Sequence, residues 1–189
     1  MGRPKRVLID LDSTVADILT PWLSIYNGEH GDSLSVRMLT DWKLHKHAKK
    51  GGLGVYTILA RQGFFRDLKP YDGALDAIYR LSKEHEVVIL TSAQYGPCAS
   101  EKLDWIRRHL PFIGKERTII ADAKELIPGD VLIDDAPHNA MAYRLNHPNA
   151  YICGIQFPYN RHCEAYDLLA GSHEAPDLAW SAFTANLLS

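Results

Sequence analysis

The chain has 189 residues, 46% of them apolar, and a formal net charge of −2, a globular composition that excludes a largely disordered protein. Because basic residues do not outnumber acidic ones, we do not expect duplex nucleic acid to be the main partner. Three widely spaced cysteines form no disulfide framework, and no apolar run approaches the roughly 20 residues of a membrane helix, so we expect a cytoplasmic protein that does not enter a membrane.

The first predicted element is a buried strand. Residues 7–11 form a short apolar run that ends in carboxylates. Residues 16–27 then carry apolar side chains at helical spacing, and Gly28 follows them. This pattern predicts a helix that ends just before the glycine.

The segment that follows contains no strand pattern. Residues 28–54 are polar and rich in glycine, and residues 55–61 predict a short helix. We therefore expect residues 17–70 to form a small helical cap. It would be inserted after the first strand of an α/β core that comprises residues 1–16 and 71–189.

Helices and strands alternate in the rest of the chain. The apolar spacing predicts helices over residues 72–84, 97–110, 137–146 and 178–188, and strands over residues 86–90, 117–121, 131–133 and 151–156. Such alternation is typical of a mostly parallel sheet with helices on both faces. We therefore expect an α/β, Rossmann-like fold.

Polar residues follow four of the predicted strands. In chain order they are Asp10 and Asp12, Thr91 and Ser92, Lys124, and Asp134 and Asp135. Ligands of open α/β sheets bind beyond the strand ends, so these side chains should meet at one edge. Each aspartate alone is more often a turn or helix-cap residue. Four carboxylates at one edge repel one another unless a cation or a shared proton offsets them, and Mg²⁺ suits such oxygen ligands.

This set of residues resembles the four motifs of the haloacid dehalogenase (HAD) superfamily of phosphotransferases. The first motif is Asp-x-Asp-x-Thr after an apolar strand, here Asp10 to Thr14. The other three are Thr91-Ser92, Lys124 and the acidic pair Asp134-Asp135, which appear in the expected order. The resemblance implies a HAD-like fold and phosphoryl transfer.

Further segments resemble the 5′(3′)-deoxyribonucleotidases. They include Gly63-Phe64-Phe65, Glu101-Lys102-x-x-Trp105 and Pro158-Tyr159-Asn160-Arg161. The resemblance covers most of the chain but not residues 28–54. It implies an Mg²⁺-dependent phosphomonoesterase that acts on (deoxy)nucleoside monophosphates, and family members often form homodimers, although no sequence feature here requires one.

Two positions depart from the pattern of that family. Ser13 stands where the family often has glycine, and Gln94 and Tyr95 stand where the loop after Thr-Ser usually carries a lysine. The second departure affects the expected substrate preference more than the expected chemistry.

Physical arguments assign roles to the motif residues. A carboxylate that attacks phosphorus divides a difficult hydrolysis into two easier steps, and we expect Asp10 to be this nucleophile. Asp12, two residues later, points to the same side of an extended chain and can serve as general acid and then general base. Thr91 and Ser92 can donate hydrogen bonds to phosphate oxygens, while Lys124 supplies positive charge to the transferring group.

The ligands of the metal ion are predicted as a set. Asp134 and Asp135 complete a metal shell with Asp10, and the resemblance implies that Asp12 adds its backbone carbonyl. Which member of the acidic pair binds the metal directly stays open.

Two more residues have alternative interpretations. The resemblance implies that Lys102 binds phosphate or orients the nucleophile, whereas a helix lysine is often only solvated. Phe64 can stack on a nucleotide base or pack as a core aromatic.

Other functions remain in competition with the nucleotidase hypothesis. The same chemistry could act on another small phosphate ester or on a nucleic-acid 3′-phosphate, and the cap would decide between these substrates. A catalytically silent binding domain of the same fold is a third alternative, but such a module has no need of a general acid two residues from a nucleophile.

Overall fold

The structure, a computed structural model, describes residues 3–50, 52–94 and 96–189. In these residues the strands are β1 (Arg6–Ile9), β2 (Glu86–Thr91), β3 (Thr118–Ile120), β4 (Val131–Ile133), β5 (Tyr151–Ile155) and β6 (Leu168–Ala170). They form one sheet in the spatial order β3-β2-β1-β4-β5-β6, and every neighbouring pair is parallel.

The central strand β1 explains why the sheet is parallel and buried. Val7, Leu8 and Ile9 are all completely inaccessible to solvent. A strand covered on both faces needs apolar residues at every position, as in α/β proteins. Val7 is aligned with Val87 of β2 on one side and with Val131 of β4 on the other.

The α-helices are α1 (Leu19–His30), α2 (Ala74–Glu84), α3 (Cys98–His109), α4 (Pro137–Asn146) and α5 (Pro176–Leu187). Alternate residues of each strand point to opposite faces. Val7 and Ile9 therefore join the larger core cluster, which includes residues of α2, α3 and α5. Leu8 joins a second cluster on the other face, with Tyr143 of α4.

The segment between β1 and α2 leaves the sheet and returns to it at adjacent positions. The Asp17 N–H donates to the Lys69 carbonyl at 2.9 Å, and the Tyr71 N–H donates to the Val15 carbonyl at 2.8 Å. The segment contains α1 and short 3₁₀ turns. Its buried apolar residues belong to the same core cluster as one face of the sheet, so hydrophobic burial holds it against that face.

The predicted α/β fold is confirmed, and the differences are local. The helix predicted from residue 16 begins at Leu19, because residues 13–16 form a turn in which Ala16 forms a bridge with Pro70. The prediction that it ends before Gly28 was wrong: the helix continues to His30, and Gly31, with a left-handed φ of 60°, forms its C-cap. The short helix predicted over residues 55–61 is a 3₁₀ helix, Gly52–Ala60. Strand β6 was not predicted from the sequence, and its three residues are only partly buried.

Gly154 in β5 allows the strand to approach the carboxyl end of β4. A Cβ at this position would lie 2.5 Å from the Asp134 carbonyl oxygen, which is too close for any real side chain. We expect Gly154→Ala to lower the free energy of unfolding by about 1–3 kcal/mol, because the backbone must shift to accommodate the methyl group. Urea denaturation would measure this.

Gly28→Ala is the matched control. Gly28 lies in α1, and a Cβ added there would meet nothing within 4 Å. Alanine favours a helix over glycine by about 0.5–1 kcal/mol, so this variant should be more stable than the parent. Equal effects of the two substitutions would contradict the close approach at Gly154.

Candidate active site

The carboxyl end of β1 places the first motif at the centre of the sheet edge. The Asp10 N–H donates to the Ile133 carbonyl of β4 at 2.9 Å, which continues the pairing of the two strands. The chain then turns sharply at Ser13, whose φ of 55° is in the left-handed region that favours glycine. The turn therefore has the geometry that the family's usual glycine would adopt, with serine in its place.

Three carboxylates and one ammonium group form the centre of the site. Asp10, Asp134 and Asp135 are buried, and each offers an oxygen within 4.8 Å of the others. Lys124 Nζ lies 2.7 Å from Asp10 Oδ1 and 2.8 Å from Asp134 Oδ2. The Lys124 ammonium group therefore bridges the carboxylates that follow β1 and β4.

Hydrogen bonds fix both members of the acidic pair. Asp134 accepts from the Ala136 N–H at 2.8 Å and from Asn139 Nδ2 at 3.0 Å. Asp135 accepts from Thr14 Oγ1 at 3.2 Å and from the Tyr159 hydroxyl at 2.5 Å. Each carboxylate is thus held in one orientation before any ligand binds.

Asp12 lies beside a second lysine. Lys102 Nζ of α3 donates to Asp12 Oδ2 at 2.5 Å, to the Ser92 carbonyl at 2.6 Å and to Thr91 Oγ1 at 3.1 Å. The other oxygen, Asp12 Oδ1, is buried without a hydrogen-bond partner among the described residues, as is Ser13 Oγ. Such orphaned polar atoms indicate a place for a ligand or water.

The charges of this site do not balance. Four carboxylates, of Asp10, Asp12, Asp134 and Asp135, face two ammonium groups, of Lys102 and Lys124. Burial raises the pKa of Asp134 to about 6 and raises the pKa of Asp135 well above its usual range. Burial lowers the pKa of Lys124, because it disfavours the charged ammonium group. The attraction of the Asp10 and Asp134 carboxylates is larger than this effect, so the pKa of Lys124 is raised. With all groups ionised, two negative charges remain, which a divalent cation would neutralise.

The donor set is suited to Mg²⁺. Its atoms are hard carboxylate oxygens, and the described residues near it include no thiolate or imidazole aimed at the same point. Asp10, Asp134 and Asp135 offer the clustered oxygens.

A cavity of about 500 Å³ opens above this charged centre. Its floor includes Asp10, Asp12, Ser92, Lys102 and Lys124. Its walls are largely aromatic and apolar, and they include Trp22, Trp42, Leu44, Tyr56 and Phe65 from the segment between β1 and α2. A pocket of this size, with one charged end and apolar walls, suits a small organic phosphate.

Comparison with known families identifies the protein class. The family described as 5′ nucleotidase, deoxy (Pyrimidine), cytosolic type C protein matches residues 3–183. The chain belongs to this family. It is accordingly a phosphoric monoester hydrolase of the nucleotidase class.

Relatives of this nucleotidase family carry a consistent name. A 5′(3′)-deoxyribonucleotidase of Bacillus subtilis (strain 168) is 29% identical over 140 residues, which cover 74% of this chain and 80% of the relative. A 5′(3′)-deoxyribonucleotidase of Clostridium acetobutylicum is 31% identical over 139 residues, which cover 73% of this chain and 77% of the relative.

Solved structures confirm the HAD-like fold of the nucleotidase. A protein assigned as a haloacid dehalogenase-like hydrolase from Burkholderia xenovorans LB400 superimposes with a TM-score of 0.60 at 18% identity, and the match covers 100% of both chains. A protein assigned as a HAD-hydrolase from Bacillus subtilis, solved bound to magnesium, gives 0.56 at 14% identity and covers 98% of this chain and 99% of that one. At these identities the likeness shows the fold alone.

No membrane-spanning helix occurs in the described part of the nucleotidase, since none of its helices is both long and apolar enough.

The structure brings most of the sequence-predicted residues together, but four of them do not line the cavity. Asp134 and Asp135 are fully buried within the carboxylate cluster. Thr91 is fully buried beneath Lys102 and does not line the cavity. Phe64 packs edge-on against Phe65, and it is Phe65 that faces the cavity. Gln94 lines the cavity, while Tyr95 lies outside the described residues.

Sequence reasoning missed several residues of the site. Asn139 and Tyr159 hold the acidic pair, and Asp41 and Asp122 line the cavity. Asn139 lies in the first turn of α4, five residues after Asp134, and no helical spacing relates the two because Asp134 precedes the helix. Asp41 comes from the segment without a recognisable pattern, so nothing in the sequence places it there.

We expect Mg²⁺ to stabilise the fold in a pH-dependent way. Asp134, whose folded pKa is about 6, binds more protons when folded than when unfolded, where its pKa is near 3.8. Without metal, the free energy of unfolding should therefore fall as the pH rises from about 4 to about 6 and stay low above it. At 100 times its Kd, Mg²⁺ should restore about 2.7 kcal/mol. Urea denaturation at about pH 5 and about pH 7, with Mg²⁺ or EDTA, tests this.

Two asparagine variants control this measurement. Asp135→Asn should abolish the Mg²⁺ response and make the metal-free protein more stable at neutral pH, since one buried negative charge is removed. Asp122→Asn should keep the response, because Asp122 is an exposed residue at the cavity wall outside the carboxylate cluster. A response that survives in Asp135→Asn would contradict the assigned metal site.

Proposed function

We propose that the protein is an Mg²⁺-dependent phosphomonoesterase that hydrolyses (deoxy)nucleoside monophosphates through a phosphorylated Asp10. The position of Asp10 carries this proposal. Its side chain is only 9% exposed, lies at the floor of the cavity and forms an ion pair with Lys124. A nucleophile in this place can reach a phosphorus atom only from inside the pocket, where bulk water is excluded.

In the first step, a carboxylate oxygen of Asp10 attacks phosphorus, and the bond between phosphorus and the ester oxygen breaks. Asp12 donates its proton to that oxygen, so the nucleoside leaves as a neutral alcohol. Burial raises the pKa of Asp12 although Lys102 opposes the shift. A raised pKa favours the protonated carboxyl that this step requires.

In the second step, water attacks the phosphorus of the Asp10 acyl phosphate. The Asp12 carboxylate left by the first step accepts the proton of that water. The bond between phosphorus and the Asp10 oxygen breaks, inorganic phosphate leaves, and both aspartates return to their starting forms.

The phosphoryl group needs positive charge and hydrogen-bond donors throughout both steps. Lys124 and Ser92 lie on the cavity floor and can provide them. Asp10, Asp134 and Asp135, with the Asp12 backbone carbonyl, would hold Mg²⁺, which when bound supplies further charge to the phosphoryl oxygens.

The preference for nucleotides is supported by the aromatic walls and by the names of the relatives. Two of these relatives are 5′(3′)-deoxyribonucleotidases. Trp42 lines the cavity mouth with 40% of its surface exposed. Its ring packs edge-on against the ring of Tyr159, and the two ring centroids are 5.3 Å apart. An exposed indole at the mouth offers a stacking surface for a base.

The segment of residues 17–70 supplies most of these walls, and we assign it as the cap of the α/β core. The two crossing points near Asp17 and Tyr71 lie side by side, as expected for an inserted unit. In this arrangement the core performs the chemistry and the cap selects the leaving group.

Replacing the nucleophile tests the mechanism. Asp10→Asn should lower kcat by about 10⁴-fold or more, because an amide cannot attack phosphorus. Phosphate release from a deoxynucleoside monophosphate with Mg²⁺ and with EDTA would be measured. Acid quenching of the parent enzyme should also yield a phosphorylated peptide that contains Asp10.

Asp122→Asn is the control for this experiment too, because it removes a carboxylate from the same cavity. It should retain activity within about 10-fold, as expected for a group that touches no reacting atom. Full activity in Asp10→Asn, or a phosphorylated peptide elsewhere in the chain, would refute the mechanism.

A pair of aromatic variants tests the substrate class. Trp42→Leu should raise KM for nucleoside monophosphates by about 5–160-fold, which corresponds to the 1–3 kcal/mol of one base stack. It should change KM for phenyl phosphate much less. Phe64→Leu is the control, since Phe64 lies outside the cavity lining. If Phe64→Leu has the larger effect on nucleotides, the base is bound on the other side of Phe65.

A further inference from the structure

The ammonium group of Lys102 donates all of its hydrogen bonds within the protein. An ammonium group has three hydrogens, and Lys102 Nζ has three oxygens within 3.1 Å, those of Asp12, Ser92 and Thr91. The side chain is 2% exposed, and its nitrogen lies 4.8 Å from the centre of the Phe65 ring. It therefore has no hydrogen left for a substrate phosphate.

These contacts leave Asp12 in one orientation. Its Oδ2 atom is occupied by Lys102, while Oδ1 is buried without a partner among the described residues. Asp12 and Lys102 both line the cavity. The lysine thus holds one oxygen of the carboxyl group, and the other oxygen forms no hydrogen bond with the described residues.

The lysine is itself held from two sides. Thr91 at the end of β2 accepts one of its hydrogen bonds. The neighbouring Glu101 carboxylate accepts backbone N–H bonds from Gly63 at 2.5 Å and from Phe65 at 3.1 Å, which places the Phe65 ring against the lysine. One face of α3 therefore fixes both the ammonium group and the aromatic ring beside it.

We propose that Lys102 is the positioning residue of the acid–base carboxylate: it orients Asp12 toward the leaving oxygen and does not bind the phosphate. The inference rests on the proposed acid role of Asp12. Lys102 acts only through Asp12. Its loss should therefore lower kcat/KM for substrates whose rate is limited by proton donation to the leaving oxygen, and lower it much less for other substrates.

Leaving groups of different acidity distinguish this role from a structural one. The value of kcat/KM reports the steps up to release of the alcohol. p-Nitrophenol departs readily as an anion, whereas phenol and a nucleoside depend increasingly on a donated proton. For Lys102→Met, we expect kcat/KM to fall by about 10²-fold or more on a deoxynucleoside monophosphate, and by less than about 10-fold on p-nitrophenyl phosphate. Phenyl phosphate, which matches the latter in shape, should be intermediate.

Two further variants complete the design. Asp12→Asn should show the same dependence on the leaving group. Glu101→Gln alters the adjacent buried residue of α3 and should lower kcat/KM equally on all three esters, because it affects the cap turn and not the proton. Thermal unfolding of each variant would establish that it folds. If Lys102→Met does not fold, Lys102→Arg keeps the charge and should show the same dependence with a smaller amplitude.

The outcomes separate this inference from the proposed function. Equal losses on all esters in the lysine variant, with a clear leaving-group dependence in Asp12→Asn, would overturn the role of Lys102 and leave the nucleotidase mechanism intact. No leaving-group dependence in Asp12→Asn would overturn the acid role of Asp12 and, with it, the inference.

Discussion

The burial of four carboxylates around two ammonium groups is the constraint on which the rest of the structure depends. Aspartates at positions 10, 12, 134 and 135 repel one another in a buried site, and if all four were ionised the two lysines would offset only half of their charge. The fold tolerates this because rigid parallel strands hold the groups and hydrogen bonds fix them. The remaining negative charge is the basis on which we propose a divalent cation at this site and, through it, a phosphate ester as substrate.

The architecture divides the work between two parts of the chain. The strand ends of the sheet provide the groups to which we assign the reaction, and their positions follow from the register of β1 against its two neighbours. The segment after β1 provides aromatic walls above them. In the proposed mechanism, chemistry and leaving-group selection therefore depend on different residues, and we expect substitutions in the walls to change the substrate without moving the nucleophile.

Much of the fold and the centre of the site could be predicted from the sequence. Continuous apolar runs such as Val7 to Ile9 are typical of parallel strands, and polar residues at their ends meet at one edge because the sheet is parallel. Strand β6 could not be predicted, because three partly buried residues carry no pattern. Contacts such as Tyr159 with Asp135 and Lys102 with Asp12 depend on packing between distant segments. Local propensity does not encode such contacts, so only the structure shows that Lys102 is paired with Asp12.

The most direct test of the central charge argument is a crystal structure of the protein grown with Mn²⁺, which substitutes for Mg²⁺ and scatters anomalously. The account predicts an anomalous peak within coordination distance of the Asp10 and Asp135 or Asp134 carboxylates, beside the Lys124 ammonium group. Absence of a peak there in an enzyme that is active in the same solution, or a peak elsewhere in the cavity, would contradict it.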